Sequence, residues 1–218
     1  PIAEIAEQLG NDVYLHVDGA QGFGKDLETL QNKRIDLISI SGHKIYGPKG
    51  IGALVARRRG INPIPLTPLM FGGGQELGLR PGTLAVPLIA GLGIAAKLAI
   101  SEHTERQNTV SRIENQVIEM VEKCGGVING DRRFGLPYIV SASITGLDSE
   151  AFMVAAKDTI ALSNGAACAS STYTTSHVLE AMGLPEDRLR YTVRISWSHL
   201  SGPPPTDELA RIVNNSRW

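Results

Sequence analysis

Two short apolar runs end on side chains suited to carbonyl and acid–base chemistry. "DVYLHVD" (12–18) closes on Asp18 and continues into Gly19, Ala20 and Gln21; "IDLISIS" (35–41) closes on Ser41 and continues into Gly42, His43 and Lys44. In open α/β sheets, ligands bind outside the carboxyl ends of the strands. If both runs are strands of one such sheet, an acid, an amide, a hydroxyl, an imidazole and an amine converge on one cleft. Ordinary strands also turn on polar residues of these types, so position alone leaves both readings open.

The surrounding pattern supplies the elements that would hold them. "IAEIAEQLG" places Ile2, Ile5, Ala6 and Leu9 at helical spacing and stops on Gly10. The 12–18 run is β-branched and nearly continuously apolar, as in a parallel strand buried on both faces. A short helix is expected near "LETLQNK", and "GIGALVARR" (50–58) reads as a further strand. Helices alternating with buried strands argue for an open, mostly parallel α/β sheet. "INPIPLTPLM" (61–70) and "FGGGQELGLRPGT" (71–83) are loops, and the second admits two readings, an anion-cradling nest or a flexible connection.

From Val86 to about Lys123 the pattern is helical, with Val110, Ile113, Val117, Met120 and Val121 in one stripe. Unbroken, it would span about 57 Å, so two helices or one bent helix are expected. Beyond Gly125-Gly126 come short strands at 138–144 and 192–197. Helices are expected at 148–158, 174–183 and 206–215, an α+β order. The division expected is a large α/β domain over 1–95, then a connecting helix and small α+β domain over 96–218. A parallel α/β domain seldom opens on a helix such as "PIAEIAEQLG", so an N-terminal part of the fold is expected to lie elsewhere.

The glycines do not make a nucleotide site: "GPKGIG" lacks the Gly-Lys-Ser/Thr of a phosphate-binding loop, and "GAQGFGKD" lacks dinucleotide-binding spacing. The polar set is coherent for pyridoxal phosphate. That cofactor needs a lysine for its aldehyde, an acid at its pyridine nitrogen, phosphate donors and a partner for its ring hydroxyl. Lys44, Asp18, Ser41 with His43, and Gln21 supply those groups in that order.

"HVDGAQGFGK", "SGHKIYGPKGIGAL", "GGGQELGLRPGT" and "SNGAACASS" together resemble the cysteine desulfurases of the NifS/IscS type, in the class V aminotransferase superfamily. The motifs keep the family's order, and the resemblance runs from Pro1 nearly to Trp218, little more than the family's C-terminal half. It implies the PLP-dependent transferase fold (fold type I) and conversion of L-cysteine to L-alanine, with sulfur passed as a persulfide to an acceptor protein. It further implies that Lys44 bonds the cofactor, Asp18 faces the pyridine nitrogen, and Gln21 lies near the ring hydroxyl. Ser41 and His43 match phosphate ligands. Thr83 matches a phosphate contact given to the neighbouring subunit of a homodimer, Arg194 the clamp on the substrate carboxylate, and Cys168 the nucleophile. No metal site is implied.

The chain departs from that pattern in places. Asn164 and Ala166 replace two serines before Cys168, Leu77 stands where arginine is frequent, and "ISWSHLSGPPP" replaces the usual small residues after the carboxylate-binding strand. Other class V activities, a selenocysteine lyase or an aminotransferase, need no cysteine loop. A fragment serving as a dimerisation or sulfur-relay scaffold is the non-enzymatic alternative.

The remaining residues bound these readings. With 42% hydrophobic and 20% charged residues and a net charge of -1, no global field draws the chain to nucleic acid or anionic membrane. No apolar run approaches the ~20 residues of a membrane span. Two cysteines do not make a disulfide framework, so a cytoplasmic location is expected. Cys124 reads as packing, His16 as a core residue of its strand, and His103 as solvent-exposed on a polar helix. His177 and His199 have no visible partner in the sequence.

Overall fold

The computed structural model describes residues 1–160, 162–164 and 176–217. The chain forms two compact units, Pro1–Thr104 and Glu105–Trp218.

In the first unit, helix α1 (Ile2–Gln8) precedes strand β1 (His16–Asp18). A 3-10 turn at Thr29–Gln31 leads to β2 (Leu37–Ser41), a second at Gly42–Ile45 leads towards β3 (Gly52–Ala56), and α2 (Val86–Ser101) follows the long loop. The sheet order is β1-β2-β3. β1 pairs parallel to β2, setting Asp18 against Ser39, while β3 pairs antiparallel, setting Gly52 against Ser41. The sheet is therefore mixed, not mostly parallel. The link between β2 and β3 is too short and irregular for the helical crossover that a parallel pair requires.

Val17, Leu30, Ile35 and Ile38 form the core here, with Ile2, Leu15, Phe23 and Ile40 packed on it. Two local expectations fail. Only three residues of the 12–18 run pair, because Gly10–Asp12 still belong to a turn, and His16 is exposed. Among the described residues β1 pairs with β2, and of its three residues Val17 is the buried one. The expected helix near residue 30 is only the 3-10 turn, held by the Asp26 carboxylate accepting from the Thr29 N–H at 3.0 Å.

At the N-terminal end of β2, Asp36 is 4% exposed and collects four hydrogen bonds. Arg59 donates to both its oxygens at 2.7 Å, Arg34 at 3.0 Å and the Leu15 N–H at 2.8 Å. Arg57 adds bonds to the Leu30 and Asn32 carbonyls. This rim is a structural staple between β1, β2 and the strand end after β3. The Arg59 hydrogen bond, more than any other contact, holds the Asp36 carboxyl down to about 2 against the opposing effect of burial.

The helical stretch breaks once, at Glu102: α2 ends at Ser101 and α3 runs His103–Lys123 into the second unit. There the expected stripe of Val110, Ile113, Val117, Met120 and Val121 is buried. It packs with the four-stranded antiparallel sheet β4 (Gly126–Ile128), β5 (Ile139–Ile144), β7 (Thr192–Ser196) and β6 (Leu162–Asn164), in that spatial order. Helices α4 (Ser149–Ala155), α5 (His177–Ala181), α6 (Glu186–Arg190) and α7 (Thr206–Asn215) complete the unit. α4 starts on Asp148, whose carboxylate accepts from the N–H groups of Glu150 and Ala151. Cys124 is buried at the end of α3, as packing requires, and burial pushes its thiol upward. Among the described residues no single helix is long and apolar enough to cross a membrane.

Candidate active site

The carboxyl rim of β1 and β2 carries the polar set. β1 ends on Asp18, and the chain then turns tightly: the Gly19 N–H donates to the Ser39 carbonyl, and the Phe23 N–H returns to the Gly19 carbonyl, both at 2.8 Å. A side chain at Gly19 would meet Ile38 at 2.7 Å and the Ser39 carbonyl at 3.1 Å, so only glycine lets the chain leave β1 this close to β2. One Asp18 oxygen accepts from the Ala20 N–H at 2.9 Å and from the Ser39 hydroxyl at 3.3 Å. These donors fix the direction of a carboxylate that is otherwise exposed. Gln21 is exposed on the same turn.

β2 runs two residues past the Asp18–Ser39 pair to Ser41, and the 3-10 turn Gly42–Ile45 carries His43 and Lys44. The Ser41 hydroxyl and His43 Nδ1 lie 3.1 Å apart. The turn is closed from both sides: the Gly42 N–H donates to the Ile51 carbonyl and the Gly47 N–H to the Gly42 carbonyl, each at 2.9 Å. Tyr46 closes it in the left-handed region at φ 67°. Small residues then bring α2 against it. A side chain at Gly47 would meet the Ala95 methyl at 3.0 Å, and one at Gly91 would meet Pro48 at 2.5 Å. Lys44 thus projects from a rigid loop, half-buried, with His43 exposed beside it.

Asp18, at the end of β1, and Ser41, His43 and Lys44, at and just beyond the end of β2, therefore lie at the same end of two paired parallel strands. An oriented acid, a hydroxyl–imidazole pair and an amine are the donor set pyridoxal phosphate requires, and the residues present fit it. Thr83 stands exposed on the loop before α2. Arg194 lies in the second unit on β7, paired in register with Ser141 of β5 and Ser163 of β6. Its Nε is buried without a hydrogen-bond acceptor among the described residues. Cys168 lies outside the described residues, as does Ala166.

Ser39 carried no expectation in the sequence, and that for His103 fails. Ser39 supports Asp18, and its signal was strand alternation: it sits two residues before Ser41, on the same face of β2. His103 was expected in solvent, yet it is half-buried, with its Nε2–H donating to the Lys25 carbonyl at 3.1 Å. A contact across 78 positions leaves no local signature.

The model of the family described as aminotransferase class V matches residues 1–201. The chain is 39% identical over 217 residues to the mitochondrial cysteine desulfurase of Saccharomyces cerevisiae, covering 99% of this chain and 43% of that protein. Among solved structures it resembles DndA of Streptomyces lividans, with 44% identity, a TM-score of 0.76, and coverage of 91% of this chain and 56% of that one. It also resembles the NifS-like protein of Rickettsia africae, with 28% identity, a TM-score of 0.81, and coverage of 98% and 56%. The chain spans about half the length of the relatives it matches.

Proposed function

The chain belongs to the class-V aminotransferase family, a PLP-dependent family, as a relative of the NifS/IscS cysteine desulfurases spanning roughly their C-terminal half, and from that premise we propose that it serves cysteine desulfuration. The observation that carries this reading is the shared rim of β1 and β2, where Asp18 is held by Ser39 and Ala20 and where Ser41, His43 and Lys44 follow.

Bound pyridoxal phosphate would supply an electron sink for charge developing at the substrate Cα. Asp18, oriented by its two donors, holds the proton on the pyridine nitrogen. Ser41 and His43 take the phosphate, and Gln21 takes the ring hydroxyl. Lys44 would hold the cofactor at its aldehyde group, and its amine would move the proton at the substrate Cα. Arg194 holds the carboxylate of L-cysteine. Cys168, as thiolate, attacks the substrate sulfur: its S–S bond forms as the substrate C–S bond breaks, and a proton returns to that carbon. L-cysteine and one thiol become L-alanine and one persulfide, with atoms and electrons balanced.

An acceptor protein then takes the sulfur, for iron–sulfur assembly or nucleic-acid thiolation, and Thr83 completes the phosphate site of a second subunit. These roles, and a cytoplasmic location, are parts of the proposal. So is the whole-enzyme activity, because the relatives are about twice as long.

The test is the Cys168→Ser variant beside the unaltered chain, each supplied with cofactor and L-cysteine. Sulfide release under reductant from the parent, lost in the variant while cofactor colour persists, is the expected result. Equal turnover by both eliminates a desulfurase and favours another class V activity. A chain that stays colourless in both forms favours the scaffold reading.

A further inference from the structure

The end of the sheet opposite Lys44 gathers five cations around one carboxylate. Lys33, Arg34, Arg57, Arg58 and Arg59 line, with Asp36, a cavity of about 450 Å³. It lies before the start of β2, whereas Ser41 and the Lys44 turn lie at the other end of that strand. At about 3.3 Å per residue, Asp36 and Ser41 are roughly 17 Å apart. Asp36 accepts from both Arg34 and Arg59, so one anion answers two guanidiniums. Arg57 turns to neutral partners, the carbonyls of Leu30 and Asn32 at 3.1 and 2.7 Å. Arg34 directs its other terminal nitrogen to the carbonyls of Gly10 and Val13 at 2.6 and 2.7 Å, and its Nε is buried with no acceptor among the described residues. Lys33 and Arg58 are exposed and form no ion pair among the described residues. A second carboxylate, Asp12, acts on Arg59, and the cluster still stays positive in a chain whose net charge is -1.

We propose that this cavity binds a small polyphosphorylated ligand, an anion with two or more phosphoryl groups, through Lys33 and Arg58 and the fixed charges of Arg34, Arg57 and Arg59. The surplus of positive charge exceeds what one singly charged anion neutralises. A phosphoryl group offers three strong acceptor oxygens, so it can meet Lys33, from the connection before β2, and Arg58, from the chain after β3, at once. Arg34, Arg57 and Arg59 are already tied by hydrogen bonds, so little side-chain freedom is left to lose on binding. The volume falls in the range of small-molecule sites, but the lining offers no aromatic or aliphatic side chain, so the recognition is of charge and not of a base or an acyl chain. Because the charge lines a cavity, a compact ligand reaches more of it than an acidic protein surface would.

The test needs neither cofactor nor L-cysteine. The folded chain is titrated calorimetrically with pyrophosphate, tripolyphosphate and sulfate at constant ionic strength. One saturable site is expected, tightest for tripolyphosphate and weakest for sulfate. Arg58→Gln and Lys33→Gln should each weaken pyrophosphate binding on the order of tenfold, the scale of one charge-assisted hydrogen bond. Neither side chain belongs to the Asp36 staple, so the urea midpoint of both variants should match the parent and separate lost binding from lost fold. His43→Ala, at the other end of β2, should leave the titration unchanged. Loss of binding there, with none in Arg58→Gln, would move the anion to the proposed cofactor site and overturn the proposal. So would the absence of a saturable site, or equal affinities in the parent and both glutamine variants. Retention on immobilised polyglutamate with no response to pyrophosphate would assign the cluster to an acidic protein surface and equally overturn it. Failure of Lys44 to bond pyridoxal phosphate, with pyrophosphate binding intact, would refute the desulfurase reading and leave this inference standing.

Discussion

Ser39 and Asp18 are register partners on adjacent parallel strands, and the Ser39 hydroxyl donates to the Asp18 carboxylate at 3.3 Å. The acid that the proposed chemistry places at a ring nitrogen is thus aimed by the neighbouring strand, with the Ala20 N–H as its second donor.

Asp18→Ala should lower desulfuration on the order of 100-fold, since the electron sink is lost with the proton it requires. Ser39→Ala should cost only about 3- to 10-fold, the scale of one hydrogen bond that orients a charged group. Sulfide release measured for both variants at saturating cofactor checks the order; a larger effect at Ser39 than at Asp18 would contradict it.

Ser41, at the end of β2, and His43, on the turn that also carries Lys44, lie 3.1 Å apart. His43→Ala should weaken cofactor retention about 10-fold, and Ser41→Ala by a similar factor. The double variant should fall short of the product, because each residue holds the other. Equilibrium dialysis against pyridoxal phosphate measures all three, and full additivity would show the pair to be independent.

Stability should fall as acid reaches the other end of the sheet. Asp36 is held at about 2, first by Arg59, below its ordinary value near 4. Its contribution is therefore fully present above about pH 4 and is lost as pH falls through about 2. Asp36→Asn should flatten that part of the urea-midpoint profile and cost about 3 kcal/mol at neutral pH by leaving Arg34 and Arg59 without their shared anion. A variant that keeps the acid-limb slope would place the titrating group elsewhere.

What could be read beforehand depended on how local its cause was. The Lys44 loop was legible because an apolar run, a glycine on either side and a Gly-Pro pair all act within ten residues. The stripe on α3 was legible because helical periodicity is local too. The break at Glu102 was bounded by length alone. The direction of β3 was not legible, since "GIGALVARR" has the same apolar texture in either orientation and its pairing depends on how the preceding loop closes. The three-residue strands β4 and β6 are too short for alternation to register. The Asp36 staple joins residues up to 23 positions apart, and the arginines that form it look in sequence like a solvated run.

For the site, residue types and motif order singled out Asp18, Ser41, His43 and Lys44. The structure added the supports: Ser39 behind Asp18, Gly24 against Ile45, and α2 against the loop through Ala95 and Gly91. None of these supporting residues has a side chain that suggests chemistry by itself.

The proposed function depends most directly on Lys44 as the amine that bonds the cofactor. The folded chain is incubated with pyridoxal phosphate, reduced with borohydride, digested and mapped by mass. One phosphopyridoxyl group is expected, on Lys44, absent from Lys44→Ala and diminished in Asp18→Ala. Stoichiometric label on another lysine, or none on Lys44 at saturating cofactor, would contradict it.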